Sequence, residues 1–129
     1  MFPLGFHPDD GIGDAPLATY TLGAQVIEVP MSCAKIGRWR IPCSGGGYFR
    51  QFPCGLTRAL MRCCNVDRRP VVFYLQTWEI DPDQQRIGGM GFSKRMRHYR
   101  NLHRTEERLE QLLGDFAFTS IRRMLPPEE

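Results

Sequence analysis

The stretch "VVFYLQTWEIDPDQ", residues 71–84, decides how the rest of the chain is read. Five apolar residues, Val71 to Leu75, run without a break, and then Gln76, Trp78, Glu79 and Asp81 crowd together. An unbroken apolar run of strand length suits a parallel strand buried on both faces. In open α/β sheets and barrels, ligands sit at the carboxyl ends of such strands. The segment is therefore expected to carry residues 76–81 to a substrate-facing tip, with Trp78 as an apolar platform. The plainer alternative is a capped strand end with a packed indole and solvated acids.

Working outward, residues 54–64, "CGLTRALMRCC", fit a short helix, and 65–70 read as a connector. "CAKI" (33–36) and "WRIP" (39–42) flank Gly37-Arg38 and suggest a small β hairpin. Residues 24–29 form a short strand stopped by Pro30, and residues 1–23, rich in Gly, Pro and Asp, read as irregular. "SGGGYFR" (44–50) and "DPDQQRIGGMGFS" (81–93) read as loops. Residues 95–113 are expected to form one helix, because Leu102, Leu109, Leu112 and Leu113 fall near helical spacing. Gly114 is its natural stop, "FAFTSI" (116–121) a final strand, and "RRML" the start of a last helical turn. Strand, helix, strand in this order implies a right-handed parallel crossover. The fold class is α/β, and three or four visible strands would leave raw sheet edges.

The 129 residues allow one domain, here a single segment over 1–129. A net charge of +3 is mildly basic and does not call for nucleic acid. No segment approaches the ~20 apolar residues of a membrane span, and the N-terminal "MFPLGFHPDDGIGD" lacks the basic start and apolar core of a signal peptide. The expectation is a soluble, cytoplasmic chain. Its five cysteines form no CxxC pair and no zinc spacing, and they are expected to stay reduced.

Several clusters compete for a role. "SGGGYFR" lacks the Lys-Ser/Thr ending of a phosphate loop, but its glycines permit a tight turn or a close backbone approach to a ligand. Tyr48 and Arg50 would then face a polar ligand. "SKRMRHYRNLHR" (93–104) is a dense basic run, offset at once by "TEERLEQLL" and so read first as a solvated helix face. His98 and His103 are five apart, not the four that puts two ligands on one helical face. His7 with Asp9 and Asp10 offers a weak metal cluster, and no Ser-His-Asp or Cys-His arrangement is legible.

Taken together, "SGGGYFR", "VVFYLQTWEIDPDQ", "RHYRNLHRTEERLEQLLGDFAFTSIR" and the early "FP…H…DGIGDAP" resemble the C-terminal part of polysaccharide deacetylases. The closest branch is the one encoded beside exopolysaccharide and exosortase loci, whose C-terminal region is a domain of unknown function. The resemblance spans about Phe2 to Leu125. It implies an incomplete NodB-type (β/α) barrel carrying a small hairpin. It further implies kinship with the metal-dependent hydrolysis of N-acetyl groups on amino-sugar polymers. In that family one Asp and two His hold a divalent metal, typically zinc, and a second Asp is the general base. This chain has no TFDD-like segment and no HxxxH, so no metal ligand is carried over and no cofactor is expected in it. The family's catalytic strand ends in a Tyr-Phe-His-Pro-Trp-Glu-like motif, matched here by Tyr74-Leu75-Gln76-Thr77-Trp78-Glu79. Gln76 thus stands where the family has its general-acid His, and an amide cannot shuttle a proton near neutral pH.

The resemblance implies a deacetylase-like chain, inactive by itself, with Gln76, Trp78, Tyr48 and Arg50 contacting sugar. Its expected partners are a carbohydrate polymer and either a second copy or a completing chain, with neither nucleic acid nor membrane. The alternative is a non-catalytic interaction module binding an acidic polymer or protein through the basic helix 94–104.

Overall fold

The computed structural model of the chain describes residues 15–23 and 26–125. The His7, Asp9 and Asp10 cluster lies outside the described residues. Within them the fold is mixed α/β, with two small antiparallel hairpins and a set of short helices. Strand β1 (Tyr20–Leu22) pairs with β2 (Val26–Glu28), with Thr21 opposite Ile27. Strand β3 (Cys33–Ile36) pairs with β4 (Trp39–Pro42), with Ile36 opposite Trp39. The second hairpin is the one expected from sequence. Its two-residue turn needs a positive φ at its first position, and Gly37 supplies it at 58°.

Helix α1 (Gly46–Gln51) and helix α2 (Cys54–Val66) follow the second hairpin. Helix α2 buries Thr57, Leu60, Met61 and Cys64, which fall at i, i+3, i+4 and i+7 on one face. That face packs on Ala34, Cys43, Phe49 and Leu112 to make the core. Val71, Phe73 and Leu75 project into the same core, with Phe73 edge-on to Phe49 at 5.1 Å between ring centroids. The intervening Tyr74 points the other way, toward Gly45, so the alternation of an extended chain holds here. Beyond a short 3-10 turn (Thr77–Ile80) come α3 (Phe92–Tyr99), a second 3-10 turn (Leu102–Arg104), α4 (Thr105–Asp115) and α5 (Ile121–Met124). Among the described residues, no helix is long and apolar enough to cross a membrane.

Several expectations need correction. Residues 20–22, read as irregular, form β1. "SGGGYFR" is not a loop but the entrance to α1: Gly45 turns the chain at φ 92°, and the Phe49 amide donates to the Gly45 carbonyl at 3.0 Å. The run 71–76 carries no strand pairing, and both sheets among the described residues are two-stranded and antiparallel. Neither a parallel crossover nor a closed barrel is therefore present in that part of the chain. The apolar run encodes burial, but it does not name a pairing partner. Residues 117–120, expected as a strand, have no regular structure and lead into α5.

The single helix expected over 95–113 is broken at Arg100 and Asn101, where Asn101 sits in the left-handed region at φ 57°. The break has a physical cause. The carbonyls of His98 and Arg100 turn to accept hydrogen bonds from Arg50 Nη1, at 2.6 and 3.2 Å. Asn101 Nδ2 in turn donates to the Arg50 carbonyl at 2.6 Å.

Cys33, Cys43 and Cys64 are buried in the core. Cys43 Sγ lies 3.6 Å from Cys64 Sγ, with Ser32 and Ser44 bonded alongside. Burial pushes the Cys33 thiol up to about 11 from the ordinary 9.0. The hydrogen bond to Cys64, reinforced by burial, pushes Cys43 well above the usual thiol range. That same bond holds Cys64 down to about 7. Above pH 9 the unfolded chain releases thiol protons that Cys33 and Cys43 keep in the fold, so their contribution to stability is full below that pH and falls as pH rises through the Cys33 value. Cys64 acts in the opposite sense, its contribution lost as pH falls through about 7. Urea unfolding should therefore show stability declining between pH 9 and about 11, with a smaller decline for Cys33→Ala. An equal decline in the variant would place the effect on other groups.

Candidate functional site

Glycine-rich sequence at 45–47 lets α1 start hard against the 71–80 segment. A Cβ on Gly46 would fall 1.9 Å from Glu79 Oε2, and one on Gly45 would fall 2.8 Å from the Tyr74 ring. The close approach that the glycines permit is thus to the chain's own carboxylate and phenol. It brings Arg50, one turn into α1, onto Glu79: Nη2 is 3.0 Å and Nε 3.2 Å from Oε1. Oε2 of the same carboxylate accepts the Gln76 backbone amide at 2.9 Å. Arg50 is 2 % exposed and Glu79 3 %, so this is a buried ion pair, with all three guanidinium nitrogens and both carboxylate oxygens bonded within the fold. Arg108 Nη1 caps the end of α1 by donating to the carbonyls of Phe49 and Arg50, each at 3.2 Å.

Above this pair sits an aromatic stack. The His98 ring lies on Trp78 at 4.1 Å between centroids and 12° between planes. The Arg50 guanidinium is 4.8 Å from the centre of the same indole. Trp78 Nε1 donates to Gln76 Oε1. Gln84 ties the corner down, donating from Nε2 to the Trp78 carbonyl at 2.7 Å and meeting His98 Nε2 through Oε1 at 3.3 Å.

The stack walls a cleft of about 420 Å³, lined among others by Tyr74, Gln76, Trp78, Lys94, Arg97 and His98. That volume lies within the roughly 300–1,000 Å³ typical of small-molecule sites. Burial pushes the Tyr74 phenol up, with the Glu79 charge adding to the effect. Burial also pushes Tyr48 up, against the lowering effect of Arg97.

Of the four residues expected to contact sugar, Gln76, Trp78 and Arg50 come together on this cleft. Tyr48 does not line it and packs toward Phe52, with 5.8 Å between ring centroids. Arg50 faces the cleft with a guanidinium already committed to Glu79, His98 and Arg100. Gln76 is exposed, and its Nε2 has no partner among the described residues. Trp78 presents the edge of a stack in place of a bare indole face.

Sequence reasoning missed His98, Lys94 and Arg97 as cleft residues. Their spacing at i, i+3 and i+4 from Lys94 marks one face of α3, a signal hidden by reading the whole basic run as solvated. No group of three or more His, Cys, Asp or Glu side chains among the described residues could hold a metal ion.

Breaking the buried pair from one side leaves an uncompensated charge in the interior. Glu79→Ala should therefore cost roughly 3–5 kcal/mol, read as a drop in the urea midpoint. Gly46→Ala should act in the same direction by displacing the carboxylate. Replacing Arg50 and Glu79 together by leucine should cost much less than the two single changes summed. Additive single effects would show that the two side chains are not energetically coupled.

No curated protein and no solved structure matches this chain. A family model does match it, over residues 1–126, and its description is "Domain of unknown function (DUF3473)". With the match running along nearly its whole length, the chain belongs to this family of domains of unknown function.

Proposed function

We propose that the chain is polysaccharide-deacetylase-like, that the 71–76 run corresponds to a strand of a NodB-type barrel, and that the cleft at its carboxyl end binds a carbohydrate. The observation that carries this reading is the position of Gln76 and Trp78. They follow an extended, core-packed apolar run and line a cleft at its end. An apolar wall with a few directed polar groups is the usual make-up of a small-molecule site. Here the wall is the Trp78–His98 stack, and the directed groups are the Gln76 amide and the Tyr74 hydroxyl.

The chemistry that this reading assigns to the cleft is binding. The described residues offer no ligand set that fits a divalent metal, so no step is derived through one. At the position matched by resemblance to the general acid of polysaccharide deacetylases, Gln76 offers a hydrogen bond and no transferable proton. Residues 1–129, supplied with zinc, cobalt or manganese, should release no acetate from amino-sugar oligomers, and Gln76→His should not change that. Metal-dependent acetate release above a buffer control would overturn this part of the reading.

Binding is tested separately by titrating amino-sugar oligomers against intrinsic fluorescence, since Trp78 borders the cleft. Saturable binding that weakens in Gln76→Ala, an exposed position whose replacement leaves the core intact, supports the reading. Unaltered affinity in Gln76→Ala and in Trp78→Ala would remove the cleft from carbohydrate binding.

The unpaired 71–76 run supports a completing partner, either a second copy or another chain that supplies the neighbouring strand. Apolar side chains left in solvent support it too, with Trp39 60 % and Phe92 79 % exposed. Sedimentation should show self-association, and a compact monomer at high concentration would count against it.

A second reading, an interaction module for an acidic polymer or protein, is favoured by one observation. Lys94 and Arg97, which line the cleft, make no side-chain hydrogen bond or ion pair among the described residues. The helix concerned is α3, Phe92–Tyr99, and does not extend through residues 100–104.

A further inference from the structure

The charges around the cleft do not balance, and the imbalance has chemical consequences. Its lining carries one carboxylate, Glu79, and three groups of fixed positive charge, Arg50, Lys94 and Arg97. Arg50 and Glu79 neutralise one another in a buried pair. That leaves Lys94 and Arg97 facing the cleft from α3, with no acid from the 71–80 segment, α1 or α3 set against them. Arg97 acts electrostatically on Tyr48, which does not line the cleft, and a neutral phenol does not compensate it. The same α3 face brings His98 onto Trp78. One side of the cleft is therefore an aromatic stack with an amide donor, and the adjoining side is a pair of free cations one helical turn apart. A neutral sugar would use the first side and leave the second idle.

We propose that the ligand of this cleft is an acidic saccharide, a sugar ring bearing a carboxylate, with Lys94 and Arg97 as its specificity-determining residues. The inference rests on the carbohydrate reading of the cleft and adds the charge of its ligand. The ring packs along the Trp78–His98 stack and accepts a hydrogen bond from Gln76 Nε2, and the carboxylate is held by the two cations. An arginine can meet a carboxylate with two parallel N–H donors, which ties charge recognition to geometry. A polyanion without a sugar ring satisfies the cations alone, and a neutral oligomer satisfies the stack alone.

The test compares three probes on residues 1–129 at low salt, by fluorescence or calorimetry: a galacturonic acid oligomer, a neutral amino-sugar oligomer of equal length, and a glutamate oligomer of equal charge. The galacturonate oligomer should bind about tenfold or more tightly than either of the others, as expected for charge-assisted hydrogen bonds added to ring contacts. Lys94→Gln with Arg97→Gln should abolish that advantage, bringing the galacturonate affinity down to that of the neutral oligomer. Both positions are exposed, so the fold tolerates the change. Lys35→Gln, which removes a charge from β3 outside the cleft, should have no effect.

Equal binding of the acidic and neutral oligomers overturns the charge proposal and leaves the carbohydrate reading standing. Equal binding of the glutamate and galacturonate oligomers overturns both in favour of a generic polyanion surface. Binding of none of the three, with the protein shown to be folded by its urea transition, also overturns both.

Discussion

The ion pair between Arg50 and Glu79 is the constraint on which the rest of the site depends. Buried charges are tolerated only when their hydrogen-bonding capacity is filled, and here the surroundings are arranged to fill it. Glu79 spends one oxygen on Arg50 and the other on the Gln76 amide. Arg50 donates from Nη1 to two carbonyls at the end of α3. A single guanidinium thereby joins α1, the turn after the 71–76 run, and the α3 terminus. Its contacts are supported by the Asn101 bond to the Arg50 carbonyl, the Trp78–His98 stack and the Gln84 bridge between those two rings' residues.

Two features that look unrelated in the sequence follow from this arrangement. The glycines at 45 and 46 are needed because α1 must start within van der Waals reach of Tyr74 and Glu79. The interruption at Arg100 and Asn101 is needed because the carbonyls that Arg50 takes must be free of helix partners. An uninterrupted helix would have used them internally, and Asn101, a residue that tolerates the left-handed region, makes the turn. The break also sets α3 at the angle that lays His98 on Trp78 and turns Lys94 and Arg97 to the cleft. Specificity in this site would thus be carried by residues placed by a buried pair that also forms part of the cleft lining.

The half-satisfied state of the 71–76 run stands apart from this. Its side chains alternate between core and cleft as in a strand, yet its backbone pairs with no strand among the described residues. The Val72 amide donates to Ser32 Oγ at 2.8 Å, and the Gln76 amide is held by Glu79. An apolar segment with open backbone groups is a natural place for another strand to add, which links the packing of this segment to its proposed partner.

By itself the sequence determined the pieces governed by local periodicity and turn chemistry. The hairpin around Gly37 was legible because two strand-forming runs flank a two-residue turn. Helix α2 was legible because its apolar spacing is helical, and the tip at Gln76 and Trp78 because polarity switches abruptly after Leu75. Tertiary structure alone decided the rest, because the deciding contacts join residues far apart in the chain. Arg50 reads as a free cation until Glu79, twenty-nine positions on, is set against it. Residues 95–113 read as one helix until Arg50 claims its carbonyls, about fifty positions away. The basic run reads as solvated until that break aims one face of it at Trp78. Local propensity cannot register a hydrogen bond to a distant partner, and in this protein such bonds decide which side chains meet in the cleft.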